Sequence, residues 1–285
     1  MTRTAILIVT YLEFDFLVQP LLKLINHFWL EHPPIFITGT NKNFNETETI
    51  SIKDYNFKNW VSTYYESLKF LQQQGFDSFY LILDDIHPIG KCDANYLNLY
   101  LPQKAEQYNA GYVYLMEHFS LLKASECQDD EWLHIVPKSP YSISLQFGYW
   151  HIDYALSITD KIQKKGIINI WNYEIQGSFL DLQDNRPNFI FKEANNSLIP
   201  NSKLETLPEK VRWHVSRTPY PFVRGGFLYQ GRSTRITRRI YNEFVGEFPE
   251  VKQILEYTNT PQYHTFDLIR RVKKRIKSWE LLFAD

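Results

Sequence analysis

Over its first 116 residues the chain alternates short apolar runs with longer segments in which apolar residues return every three or four positions. Residues 4–10 form an apolar run of strand length, and across 16–30 Leu17, Leu21, Leu24, Ile25 and Phe28 recur at helical spacing. Pro33 and Pro34 close that helix, and 35–37 read as a second strand. The polar stretch GTNKNFNETET then leads to a helix over 60–74, stopped at Gly75. A strand over 79–83, a helix over 93–108 with Asp93 as its N-cap, and a strand over 111–116 follow. This order implies βαβ units, hence an α/β fold with a mostly parallel central sheet and helices on both faces.

Sheets of that kind bind ligands outside the carboxyl ends of their strands. The run FYLILDDIHPIG places Asp84, Asp85 and His87 at one such end, and residues 10–15 lie at another. Two readings of the acidic pair stand side by side. It caps the next helix, or it forms with His87 an Asp-x-His pair for Mn²⁺ or Mg²⁺ on a diphosphate, since hard oxygen and imidazole ligands suit those cations. Two carboxylates beside an apolar strand are costly to desolvate without compensating donors or a cation, which favours the second.

Composition narrows the classes. The formal charge of −1 gives no bulk attraction for nucleic acid, and 44% hydrophobic residues exclude disorder as the default. Nineteen tyrosines and twenty phenylalanines suggest cores and clefts lined with rings. Cys92 and Cys127 are too few and too distant for a disulfide framework or a Cys-based zinc site, which fits a reducing compartment. The N-terminus reads as a strand rather than a signal peptide, and no run approaches the roughly 20 apolar residues of a membrane span. The expectation is a cytoplasmic protein, soluble or peripheral to the inner membrane face.

After residue 116 the alternation loosens. Residues 142–147 read as a strand and 149–159 as a helix. Downstream, Glu174 lies amid Trp171, Tyr173 and Ile175, where an apolar pocket would suit a general base; Trp150 and Trp171 themselves read as core anchors. From 186 the chain turns irregular, giving an expected division into 1–185 and a C-terminal α+β region, 186–285. In that region FVRGGFLYQGR sets Arg224 and Arg232 about a glycine pair, as a strand bulge or a phosphate contact, and RRVKKRIKSWELLF reads as a basic amphipathic helix. Such a helix either packs on the core or rests on an anionic membrane.

Four strings carry a resemblance: ILIVTYLEFD with the following LLKLINHFWLEHPPIFITGT, then YLILDDIHPIGKCDANYL, SISLQFGYWHIDYAL and WNYEIQGS. Together, across 5–178, they resemble bacterial glycosyltransferases of the GT-A, Rossmann-like nucleotide-diphospho-sugar fold, found among genes for surface polysaccharides. The resemblance implies a donor that is a nucleotide-diphosphate sugar and an acceptor that is a glycan or glycolipid. It implies that Asp85, with Asp84 beside it, is the acidic motif that binds metal and diphosphate, and that Glu174 activates or binds the acceptor. His87 stands where the fold's usual Asp-x-Asp motif has its second acid. Thr10 and Glu13 are expected at the nucleoside and Arg224 at phosphate. A non-catalytic nucleotide-sugar or carbohydrate-binding protein on the same scaffold is the alternative.

Overall fold

The computed structural model describes residues 2–10, 15–45, 47–50, 60–84, 86–88, 92–116, 122–181, 184–192, 228–229 and 232–233. Glu13, Asp85, Arg224 and the C-terminal helices expected from the sequence lie outside the described residues. The chain forms two compact units, Met1–Arg224 and Gly225–Asp285. In the second, a short antiparallel pair, Leu228–Tyr229 with Arg232–Ser233, is described.

In the first unit the described strands make a nine-stranded sheet. They are β1 (Thr4–Val9), β2 (Ile35–Thr38), β3 (Glu48–Ile50), β4 (Ser78–Leu83), β5 (Tyr112–Tyr114), β6 (Ala124–Glu126), β7 (Trp132–Ile135), β8 (Gly148–His151) and β9 (Asn188–Phe191), in the order β3-β2-β1-β4-β8-β5-β9-β7-β6. The first four are mutually parallel, with β1 central: Ile6 pairs with Ile35 on one side and Tyr80 on the other. β8 then inserts antiparallel between β4 and β5, β9 joins parallel to β5, and β7 and β6 close the far edge antiparallel. β9 lies past residue 185 and is nonetheless part of this sheet.

The helices are α1 (Val18–Phe28), α2 (Trp60–Gln73), α3 (Leu101–Gln107), α4 (Ile152–Lys164) and α5 (Ile170–Gly177). Neighbouring strand residues point to opposite faces. Phe79 meets Tyr64 of α2, while Tyr80 meets Trp29 at the end of α1, so the sheet is covered on both sides. α4 and α5 share the α2 side, where Tyr173 of α5 packs on Tyr64 and Trp60. Gly75, at φ +77°, ends α2 as its sequence position suggests. Asp93 caps the helix after β4 by accepting from the Tyr96 amide at 3.0 Å. That helix widens into a π-helical turn over Tyr96–Tyr100, and the fully buried Tyr80 hydroxyl donates to the Leu97 carbonyl inside it.

Two boundaries differ from the sequence reading. The strand expected over 142–147 falls at Gly148–His151, and the helix expected from 149 begins at Ile152. The Ser142 and Ser144 hydroxyls are committed to α5 and the turn after it instead of facing solvent across a strand. Gly148 sets the register of β8, because a Cβ there would stand 2.5 Å from the buried Tyr112 ring and 3.1 Å from the Val113 carbonyl.

Candidate functional site

The parallel strands β1, β2 and β4 end along one edge, as does β5, and β8, running the other way, begins there. Residues following Val9, Thr38, Leu83 and Tyr114, and those preceding Gly148, therefore collect at that edge. The segment after β4 and the segment before β8 are neighbours there because those two strands pair.

At the first segment the Thr10 hydroxyl donates to Asp84 Oδ2 at 2.6 Å, and the Asp84 amide donates to the Val9 carbonyl at 3.2 Å. The ends of β1 and β4 are thus joined through the polar residues singled out in the sequence. His87 folds back so that its Nε2 lies 2.6 Å from the Asp84 carbonyl, and the side chain is only 3% exposed. Burial pushes its pKa well below the usual imidazole range, against the opposing pull of that hydrogen bond. A carbonyl only accepts, so the neutral ring carries its proton on Nε2 and its lone pair on Nδ1.

A second polar group on this edge lies in the 10–15 segment that the sequence places there, without its role being singled out. Asp15, at the entry to α1, is 6% exposed and accepts from the Thr40 hydroxyl at 3.1 Å and from Lys42 Nζ at 2.6 Å. It binds the start of α1 to the segment leaving β2. A carboxylate opening a helix five residues past a strand end was the available signal, and it was indistinguishable from an ordinary helix-terminal acid. Behind it, Ser67 of α2 donates to the Thr38 hydroxyl at 2.9 Å.

Glu174 sits on α5, whose start is capped by the Asn169 side chain accepting from the Asn172 amide at 2.9 Å. Its Oε1 accepts from the Ser144 hydroxyl at 2.9 Å and from the Leu145 amide at 2.8 Å, so its carboxylate is fixed to the segment that leads into β8. The turn after the helix is tied to the same segment: the Ile143 amide donates to Ser178 Oγ at 3.1 Å and the Ser142 hydroxyl to the Ser178 carbonyl at 3.1 Å. The surroundings differ from the apolar pocket expected. Two donors aimed at one oxygen suit an ionised carboxylate, and they replace the water that burial removes. Beneath it, Tyr112 is fully buried, and its pKa is driven well up by burial and by the nearby phenol of Tyr114 and carboxylate of Glu174, so its hydroxyl keeps its proton.

Of the residues singled out in the sequence, Thr10, Asp84 and His87 form one connected group, and Glu174 is bonded separately to the segment that precedes β8. Among the described residues no three His, Cys, Asp or Glu side chains gather as a metal site. No helix among them is long and apolar enough to cross a membrane.

No protein-family model matches the chain, and no curated protein does. Solved structures resemble it at low identity. Mannose-1-phosphate geranyltransferase from Thermus thermophilus is 7% identical with a TM-score of 0.42, covering 67% of this chain and 74% of its own. S. aureus TarS 1–349 in complex with UDP-GlcNAc is 11% identical with a TM-score of 0.43, covering 91% of this chain and 72% of its own. TarS 1–349 without that ligand is 12% identical with a TM-score of 0.43, covering 90% and 70%.

Proposed function

We propose that this chain is a glycosyltransferase that binds a nucleotide-diphosphate sugar at the sheet edge and transfers the sugar to a hydroxyl of a glycan or glycolipid, in surface-polysaccharide assembly at the cytoplasmic side of the membrane. The observation that carries the reading is the joined edge itself: Thr10 on Asp84 at the ends of β1 and β4, with the Glu174 carboxylate fixed on the segment entering the adjacent β8. A donor site and an acceptor-activating acid must lie on one crevice, and the preference of such sheets for ligands outside the carboxyl ends of their strands supports the reading.

In this reading Thr10 and Glu13 contact the nucleoside, Asp84 and Asp85 border the diphosphate, and Arg224 adds a guanidinium to phosphate. Asp85 and His87 would hold Mn²⁺ or Mg²⁺. The neutral state of His87 supports a ligand role, since only a neutral imidazole has a lone pair for a cation. When bound, the metal offsets charge on the departing nucleoside diphosphate. Asp84 takes its position from Thr10. Glu174, held by Ser144 and Leu145, removes the proton of the acceptor hydroxyl if the reaction inverts the anomeric centre.

The test is a thermal-shift and transfer panel of nucleotide sugars with and without Mn²⁺. Asp85→Asn is expected to lose the metal-dependent stabilisation. Glu174→Gln is expected to bind donor and to transfer at least about a hundredfold more slowly. Full transfer by Glu174→Gln overturns the base assignment. Stabilisation by a nucleotide sugar without transfer to any acceptor marks a binding protein, and no stabilisation by any nucleotide sugar defeats the reading.

A further inference from the structure

Three of the six exposed large hydrophobic side chains among the described residues lie on or beside α5. Ile168, Ile175 and Phe179 are 51%, 41% and 51% exposed; Ile175 and Phe179 stand four residues apart at the end of the helix, and Ile168 lies just before its Asn169 N-cap. The other exposed positions described on the helix are the amides Asn172 and Gln176, so its exposed side carries no charge of its own. A solvent-facing helix ordinarily shows charged residues outward, and three large apolar side chains grouped as a stripe on and beside one helix mark an interaction surface.

Lysines gather beyond the Phe179 end of this stripe. Asp181, two residues beyond Phe179, pairs with Lys138, and Lys161 reaches from α4 to the Asp181 carbonyl. The hydrogen bond and charge of Lys138, with Lys161 and Lys165 acting from nearby, hold the Asp181 carboxyl below its usual range. Lys164, at the end of α4, pairs with Asp160 at 2.6 Å. Four lysines against two aspartates leave the border net positive, and the lysines stand on long stems able to reach past an apolar contact.

An uncharged apolar stripe bordered by lysines complements an anionic bilayer: the rings and branched chains enter the headgroup boundary and the ammonium groups meet lipid phosphates. We infer that the outer face of α5, with the lysines at the end of α4, is a membrane-docking surface for anionic phospholipid. Its residues, within 138–181, are not those of the basic segment near the C-terminus. It would set the helix that carries Glu174 against the bilayer, where a lipid-borne acceptor would arrive, but the docking itself does not depend on the chain transferring a sugar.

The experiment is flotation of the full-length chain with phosphatidylcholine vesicles, with and without about one-third phosphatidylglycerol, in the absence of nucleotide and metal. Binding to the anionic vesicles alone is expected, weakened in about 0.5 M NaCl. Lys164→Gln with Lys165→Gln is expected to reduce the partition coefficient by about twentyfold, and Ile168→Ser with Phe179→Ser to reduce it comparably. All four positions are exposed or at a helix end, and unchanged circular dichroism verifies that the variants fold. The inference is overturned if anionic vesicles do not bind the chain. It is equally overturned if both variants bind as the parent does while neutralising Arg270, Arg271, Lys273 and Lys274 abolishes binding. A lipid-free, concentration-dependent dimer lost in Ile168→Ser with Phe179→Ser overturns it too, assigning the stripe to a second copy. Donor binding measured on the same preparations keeps this outcome separate from that of the transferase reading.

Discussion

The two halves of the sheet are built differently. The parallel half is centred on an aliphatic strand: Ala5, Ile6, Leu7, Ile8 and Val9 of β1 lie between Ile35 and Ile37 of β2 and Leu81 and Ile82 of β4, all buried, with the rings of Phe36, Phe79 and Tyr80 on the flanking strands. The mixed half is filled with rings. Tyr112 and Trp150 lie 4.0 Å apart by ring centroid, and Trp132 packs on Phe189 and Phe191. It also holds an internal ion cluster, in which Lys104 of α3 reaches Asp129 at 2.9 Å and Glu131 at 2.6 Å while its ammonium lies 4.8 Å from the Trp132 ring centroid. Aliphatic strands bury their sides through repeated local βαβ units. The ring-filled half depends on single interlocking contacts between segments far apart in sequence, and the candidate site lies at the seam between the two, where β4 meets β8.

If that contrast holds, the largest loss comes from the ion cluster. Lys104→Ala strands the buried Asp129 carboxylate without its cation, and denaturant unfolding is expected to show a loss of about 3–5 kcal/mol. The double variant Lys104→Met with Asp129→Asn is expected to recover much of it, and a single variant as stable as the parent breaks the comparison. The cluster also predicts a pH dependence. Burial works to raise the pKa of Asp129, but the Lys104 hydrogen bond and the Glu131 and Trp132 amides outweigh it, leaving the folded pKa depressed. Its contribution is complete above the unfolded aspartate value and is lost as pH falls through the folded one. Burial works to lower the pKa of Lys104, and Glu131 and Asp129 outweigh it upward. Its contribution is complete below the unfolded lysine value and is lost as pH rises through the folded one. Unfolding curves are therefore expected to show the cluster at full strength across neutral pH and failing at both extremes, with both slopes reduced in the double variant.

At the seam, Gly148→Ala forces a Cβ against the Tyr112 ring and the Val113 carbonyl, with an expected cost of about 2–3 kcal/mol in urea unfolding. Tyr80→Phe removes the hydroxyl that satisfies the buried Leu97 carbonyl and is expected to cost about 1–2 kcal/mol. Hydrogen exchange should rise first in the π-helical turn; unchanged exchange there would show that the turn holds without Tyr80. The smallest effect belongs to the aliphatic half, where Ile37→Val is expected to lower the unfolding free energy by about 1 kcal/mol with no change in cooperativity.

The same division separates what could be read in advance. In the parallel half each strand is a short β-branched and aliphatic run followed by a helix of 3.6 periodicity, so β1, α1, β2, α2 and β4 lie close to where pattern places them. Thr10 and Asp84 were legible because chain direction in a parallel sheet assigns their edge before any contact is known. In the mixed half the signals conflict. SISLQF alternates like a strand, yet its serines turn to α5 and its turn, and GYWH pairs instead because Gly148 alone admits the Tyr112 ring. Strands β6 and β7 are as short as β2 but pair antiparallel with no helix between them to frame them, and β9 follows a polar stretch.

What the sequence by itself determined is the frame: an α/β chain, a parallel sheet at its start, and acidic strand ends on one edge, all consequences of local periodicity and chain direction. Tertiary structure alone decided the antiparallel entry of β8, the neutral state of buried His87, the seat of Glu174 on Ser144 and Leu145, and the tie between Asp15, Thr40 and Lys42. Each of these depends on a contact between segments remote in sequence, and burial, desolvation and hydrogen-bond supply act on a side chain only once such contacts exist.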